Sequence, residues 1–196
     1  MSGIISDNQG RSSGLVKAAA SSDVVKVVSG SMTANAYIDL QGCFTSTYKY
    51  YKLFMGGYQT STTSYSEIGF LASDNSAITD TYYVRTMGQY GNTWTGATNE
   101  HYTAMNDTNG FRFGNTWNQQ HTQGQTMEVY FYDPNNSDQT QIVHGIITTA
   151  DSTPMVSSNL TMGFCNTTTA KHGLRLGTSS GTWIAKGHYA LYGYKI

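Results

Sequence analysis

Three features of the sequence predict an all-β protein, an antiparallel two-sheet sandwich behind an extended N-terminal arm. Short runs rich in Tyr, Val, Ile, Phe and Thr recur from Val24 to Ile196, separated by Gly/Asn/Ser/Thr clusters. Several of these runs alternate apolar and polar residues with the period of two that a half-buried strand requires. No stretch repeats with a helical period, and there are only two prolines to interrupt pairing. At 196 residues the chain is most naturally one domain, large enough to bury roughly 70% of its unfolded surface.

Taken in order, the runs place strands near residues 24–28, 34–40, 48–58, 65–72 and 81–90, then near 111–113, 126–132, 141–149, 159–165, 173–176 and 188–194. Alternation is clearest in the 126–132 run. Met127, Val129 and Phe131 share one face, while Glu128, Tyr130 and Tyr132 share the other. Tyr51, Leu53 and Met55 likewise point one way. Many short strands at close spacing suit a sandwich with jelly-roll-like winding, in which each sheet buries one face and leaves the other, with the end loops, free for contact.

Two long stretches are expected to be loops. Residues 91–110 carry Trp94, Tyr102 and Met105, too apolar a set for plain disorder, so a binding loop or a subunit contact is expected. Residues 114–124 carry Trp117, Gln119, Gln120 and His121. Trp94, Tyr102 and Trp117 with Asn118 and Gln120 also have the chemistry of a glycan site, because sugar C–H faces stack on rings while hydroxyls seek amides.

Residues 1–21 differ from the rest. They are rich in Gly and Ser and offer four branched apolar side chains, Ile4, Ile5, Leu15 and Val16, too few to offset the entropy of ordering such a segment alone. Extended, such a segment reaches about 70 Å, enough to cross a neighbouring subunit. The expected division is therefore an attachment arm, 1–21, and a β-domain, 22–196.

Charged residues make up 12% of the chain, about half the usual ~25%, and Ser, Thr, Asn and Gln take their place. Such a surface can be covered without the cost of desolvating full charges. Tyr occurs 15 times, against 7 Phe and 3 Trp. Tyrosine enrichment with charge depletion marks interface cores, although Tyr and Thr are also good strand formers. A net charge of −1 and 11 dispersed basic residues do not fit nucleic-acid binding, which needs clustered Lys and Arg. No apolar run approaches the length of a membrane-spanning helix. The opening Met1-Ser-Gly-Ile-Ile-Ser-Asp7 has neither the basic start nor the apolar stretch of a secretion signal, so a product that stays in the cytoplasm or leaves it by a route other than secretion is expected, with Cys43 and Cys165 as buried thiols first and a disulfide as the alternative.

The sequence carries no complete catalytic or metal-binding pattern. Glu128-Val-Tyr-Phe-Tyr-Asp133 approaches the Glu-x-Asp-x-x-Glu strand of sandwich glycosidases. It puts Tyr130 where the middle Asp belongs and ends in Asp133, which leaves no nucleophile and acid pair, and Glu128 reads as an outward strand residue. Asp133-Pro-Asn-Asn-Ser-Asp138 has the oxygen-rich composition of a calcium loop. An EF-hand would need Gly at Asp138 and Glu at His144, so ordinary turn chemistry is expected there. The five histidines show no metal-ligand spacing, and no serine sits in a Gly-x-Ser-x-Gly turn. No catalytic residue, metal or cofactor is assigned.

Three segments carry a resemblance. The opening Ser6-Asp-Asn-Gln-Gly-Arg-Ser-Ser-Gly-Leu-Val-Lys17, the middle Ala36-Tyr-Ile-Asp-Leu-Gln-Gly-Cys-Phe-Thr-Ser-Thr-Tyr-Lys-Tyr-Tyr-Lys-Leu53 and the close Gly187-His-Tyr-Ala-Leu-Tyr-Gly-Tyr-Lys195 resemble small β-sandwich virion proteins of tailed bacteriophages, especially marine and cyanobacterial ones. The resemblance implies a non-enzymatic structural protein, made in the host cytoplasm and carried on the virion. It also implies a homo-oligomer, a trimer first, attached to the major capsid protein or another virion protein. The arm would bind through Ile4, Ile5, Leu15 and Val16 with Arg11 and Lys17. With no coiled-coil or β-helical shaft in the sequence, a capsid decoration or cement protein is the first expectation, and a receptor- or host-glycan-binding tail module the alternative.

Overall fold

The computed structural model of the protein describes residues 23–62, 64–91, 99–107, 109–113, 124–138, 141–150 and 156–195. Twelve strands form among them: β1 Val24–Ser31, β2 Tyr37–Leu40, β3 Tyr50–Tyr58, β4 Ser66–Leu71, β5 Tyr82–Gly91, β6 Asn99–Asp107, β7 Phe111–Phe113, β8 Gln125–Tyr132, β9 Gln141–Ala150, β10 Val156–Cys165, β11 Gly173–Thr178 and β12 His188–Tyr194. They make the antiparallel two-sheet sandwich expected from the sequence. The larger sheet has eight strands in the order β1-β12-β3-β8-β9-β10-β5-β6, and the smaller has four in the order β2-β11-β4-β7. Among these strands, eight of the eleven connections pass from one sheet to the other, so the chain winds around a shared core.

That core is aromatic. Phe44 packs on Tyr51 at 4.8 Å and on Phe131 at 5.5 Å, and Phe111 meets Tyr82 at 4.9 Å and Phe70 at 5.7 Å. The edge-to-face angles suit the ring quadrupoles. Among the described residues three tyrosines lie wholly inside, and each hydroxyl has a partner. Tyr51 donates to the Thr45 carbonyl, Tyr82 donates to the Ile78 carbonyl, and Tyr58 accepts from Ser66 Oγ. Part of the tyrosine enrichment is therefore structural. Trp183 is buried edge-on against Tyr58 and donates its indole N–H to the Leu176 carbonyl.

The alternation read from the sequence holds. Met127, Val129 and Phe131 of β8, and Tyr51, Leu53 and Met55 of β3, face inward with at most 1% exposure. Glycine governs how closely the sheets approach over β9 and β10. A Cβ on Gly163 would lie 2.8 Å from the Phe111 ring, and one on Gly145 would lie 2.9 Å from the Phe113 ring. The two phenylalanines of β7 settle into the space these glycines leave.

Cys43 and Cys165 are both buried and unpaired with each other, and burial pushes the Cys43 thiol up to about 12. Asp133 opens an ordinary turn, as expected. Its carbonyl accepts from the Asn136 amide at 3.0 Å, and its carboxylate is taken by Lys49 at 2.9 Å and Asn136 at 3.3 Å.

One expectation needs correction. The stretch 91–110 is not a long loop, because it contains β6, which pairs with β5 from Tyr82↔Asp107 to Tyr90↔Asn99. Its sequence, Asn-Glu-His-Tyr-Thr-Ala-Met-Asn-Asp, is poor in β-branched residues. It stands at the outer edge of the larger sheet, where polar residues are favoured because they discourage further pairing. The arm 1–21 and most of the stretch 114–124 lie outside the described residues.

Candidate interaction surface

The outer face of the larger sheet is the most unusual surface of the molecule. Cross-strand register lines up Val24, Tyr194, Tyr50 and Tyr132, and then Ile142, Phe164 and Tyr83, on seven adjacent strands. The two groups join because Tyr132 and Ile142 stand one step past the Phe131↔Val143 pair. At ~4.8 Å per strand this row is about 29 Å long. Rings pair along it, Tyr50 with Tyr132 at 4.8 Å and Tyr83 stacked on Phe164 at 4.6 Å.

The next row carries Lys26, Tyr192, Lys52, Tyr130, His144, Met162 and Arg85. His144 stacks on Tyr130 at 4.8 Å with the rings 8° apart. Lys52 sits 5.3 Å above the Tyr130 ring and 2.8 Å from the Glu128 carboxylate, which also accepts from the Tyr130 hydroxyl at 3.1 Å. The Lys52 ammonium holds Glu128 below its usual carboxylate range, and Glu128 in turn raises Lys52. The third row brings Phe54, Glu128, Ile146, Leu160 and Met87 together. Ile142 is 66% exposed and Ile146 50%, values unusual for isoleucines in the middle of a sheet.

The inner face of β10 explains how this arises. Asn159, Thr161 and Cys165 are buried there beside Gly163, whereas Met162 and Phe164 point outward and are exposed. The strand's apolar residues thus face solvent and its small or polar ones face the core. The inward Thr161 is satisfied by Thr86 of β5, their hydroxyls 3.1 Å apart, and Gly163 makes room for Phe111.

A second, smaller feature lies on the outside of the four-stranded sheet. Tyr37, Glu67, Gly69, Ala77, Asn109, Arg175 and Gly177 line a shallow depression. Gly69 and Gly177 let the chain close in here, since a Cβ on the first would strike the Asn109 carbonyl and one on the second the Tyr37 ring. Arg175 is held by two hydrogen bonds to Asp39, at 2.8 and 2.7 Å, and lies 4.9 Å from the Tyr37 ring.

Of the site residues named from the sequence, Tyr102 alone has a described backbone, and it continues the third row of this face. Ile4, Ile5, Arg11, Leu15, Val16, Lys17, Trp94 and Trp117 lie outside the described residues. Tyr102 belongs to β6, not to a loop, and its backbone stands opposite Met87. Glu128 is the outward strand residue expected, committed to Lys52. Ile142, Ile146, Met162 and Phe164 went unremarked in the sequence. The available signal was the matched parity of Leu160, Met162 and Phe164 against Thr161 and Gly163, which marks a one-sided apolar strand without saying which side is the core.

Fold and surface together define a β-sandwich whose larger sheet presents an apolar, ring-lined face that the other described residues leave exposed. No protein-family model matches the chain, and no curated protein matches it. Among solved structures it is similar to the alginate lyase Aly36B, with a TM-score of 0.28 and 12% identity over 85% of this chain and 78% of that one. A mutant of that enzyme in complex with alginate trisaccharide gives a TM-score of 0.25 and 12% identity over 88% and 81%. At these scores the likeness carries no argument about fold or activity.

Proposed function

We propose that the protein is a non-enzymatic structural component of a tailed-phage particle, a decoration or cement protein that binds the capsid surface as a homo-oligomer. The observation that carries this reading is the exposed apolar face of the larger sheet on a chain with 12% charged residues. Contiguous apolar patches of this kind mark protein contacts. The rest of the reading comes from the resemblance of the chain's opening, middle and close to small virion proteins. The arm, residues 1–21, supplies the attachment to the capsid, and many copies bound at subunit junctions stabilise the shell by mass action.

The test is copy number in purified particles, by quantitative mass spectrometry against the major capsid protein. Hundreds of copies are expected, and removal of residues 1–21 should leave a folded domain that no longer attaches. A handful of copies, or full occupancy by the truncated chain, would overturn the assignment to the shell or to the arm respectively.

A second reading, a glycan-binding tail module, is favoured by the depression on the smaller sheet. There an exposed ring, Tyr37, stands beside Arg175, Glu67 and Asn109. It predicts glycan binding that is lost in Tyr37→Ala and Arg175→Ala while assembly is kept.

A further inference from the structure

We infer that the outer face of the larger sheet is covered by the same face of a second copy of this chain. The inference rests on the reading of that face as a lasting protein contact, but not on which particle the protein belongs to.

Three observations choose this occupant. The first is size. Tyr50, Tyr83, Met87, Tyr132, Ile142, Ile146, Met162 and Phe164 are between 37% and 66% exposed. At roughly 200 Å² per side chain of this size they leave about 750 Å² of surface open. That exceeds the ~300–600 Å² of the largest patch on a typical monomer and matches the ~800 Å² that each partner contributes to a standard interface.

The second is parity. β10 turns Leu160, Met162 and Phe164 outward and Thr161 and Gly163 inward, which suits a strand with another sheet packed ~10 Å above it.

The third is charge. Around this apolar centre Glu128 lies on β8 and Arg85 on β5, with β9 and β10 between them. A two-fold axis running along the strands between β9 and β10 lays β8 of one copy over β5 of the other. Glu128 of one copy then comes within one row of Arg85 of its partner. A flat face that meets itself closes in pairs, so the assembly is a dimer or a dimer of dimers. This departs from the trimer that the resemblance implies.

The chain of residues 1–196 is to be weighed in solution by light scattering after size exclusion. A mass of twice or four times 21.4 kDa is expected. Ile146→Glu and Met162→Glu, both at exposed positions, should remove the dimer peak and leave a monomer that still unfolds cooperatively, and Tyr37→Glu on the other sheet should keep the dimer. Should the glutamate variants fail to fold, methionine oxidation of the wild type answers the same question. Met162 and Met87 should be protected in concentrated protein and oxidise once dilution separates the copies. A monomer or a trimer, an intact dimer in both glutamate variants, or Met162 protected equally at every dilution would overturn the inference. In the last case the chain's own arm is the cover. Copy number on particles is unaffected by any of these outcomes, so the proposed function stands or falls separately.

Discussion

The tight fit of β7 against β10 gives a prediction whose size can be worked from the structure. Phe111 is fully buried, with its ring over Gly163, and a Cβ at position 163 would stand 2.8 and 3.0 Å from two ring carbons and 2.5 Å from the Tyr83 carbonyl. Gly163→Ala therefore overfills the core, at a cost of about 1–3 kcal/mol. Phe111→Leu lies between a volume-conserving exchange and the ~3–5 kcal/mol of a full truncation, so about 1–2 kcal/mol is expected. The shorter side chain also withdraws the ring that the new methyl would strike. The double variant should then be more stable than the sum of the single losses by about 1 kcal/mol, the coupling usual for residues in contact. Relief stays partial because the Tyr83 carbonyl remains. Urea unfolding of the four proteins measures this, and Gly145→Ala, whose methyl would meet Phe113 instead, supplies the comparison. Additivity within about 0.3 kcal/mol between Gly163→Ala and Phe111→Leu would refute the reasoning.

Alkaline pH should destabilise the fold through its buried acids. Cys43 holds its proton up to about 12 in the folded chain, against 9.0 ordinarily, so its contribution is complete below pH 9 and is lost as pH rises toward 12. Unfolding free energies from urea titrations above pH 9 should fall less steeply in Cys43→Ala than in the wild type, by about 1.4 kcal/mol per pH unit, and parallel curves would contradict the assignment. Neither cysteine should react with a thiol reagent until the protein unfolds, because both are buried and burial raises both thiols. Glu128→Ala should cost less than about 1 kcal/mol, and less still in salt, since its ion pair with Lys52 is partly exposed. Lys171 is buried and donates to the Thr167 carbonyl at 2.6 Å, and burial lowers its basicity. Lys171→Met should therefore leave stability unchanged or higher, and a loss above about 2 kcal/mol in thermal unfolding would mean that this amine is a net stabiliser.

Much of the sandwich was legible because alternation and turn chemistry act locally. The bounds of the strands at Phe111–Phe113 and His188–Tyr194 coincide with those read from the sequence, and the inward faces of β3 and β8 follow directly from their apolar parity. β6 was not legible, because an edge strand takes its hydrogen bonds from one neighbour and needs no apolar run to declare itself. Burial of β4 on both faces was hidden too. The turn after it pairs alongside its end, with Ile78 donating to the Phe70 carbonyl and Ala72 to that of Ser76, and the Asn109 carbonyl stands where a Cβ on Gly69 would go, and no property of Ser-Glu-Ile-Gly-Phe-Leu announces that cover. The candidate surface was missed for a related reason. Which face of a strand is the core depends on what packs there, and that information sits in β7, far along the chain.

β10 shows what this costs and what it reveals. Taken alone, Leu160, Met162 and Phe164 belong in a core and Thr161 and Gly163 outside it. The observed orientation is the reverse because two neighbours determine it. Phe111 needs the room over Gly163, and Thr86 supplies the hydroxyl that Thr161 requires once buried. The inner face is thereby satisfied, but the apolar side chains displaced to the outside are left in water. Local and global preferences usually agree in a foldable sequence, and departures concentrate where function demands them. The departure here lies at the middle of the exposed face, between Ile142 and Ile146 on one side and Tyr83 and Met87 on the other. A sheet packed on that face would give β10 apolar cover outside as well as polar satisfaction inside. The conflict in its pattern would then disappear in the assembled protein, although it persists in the single chain.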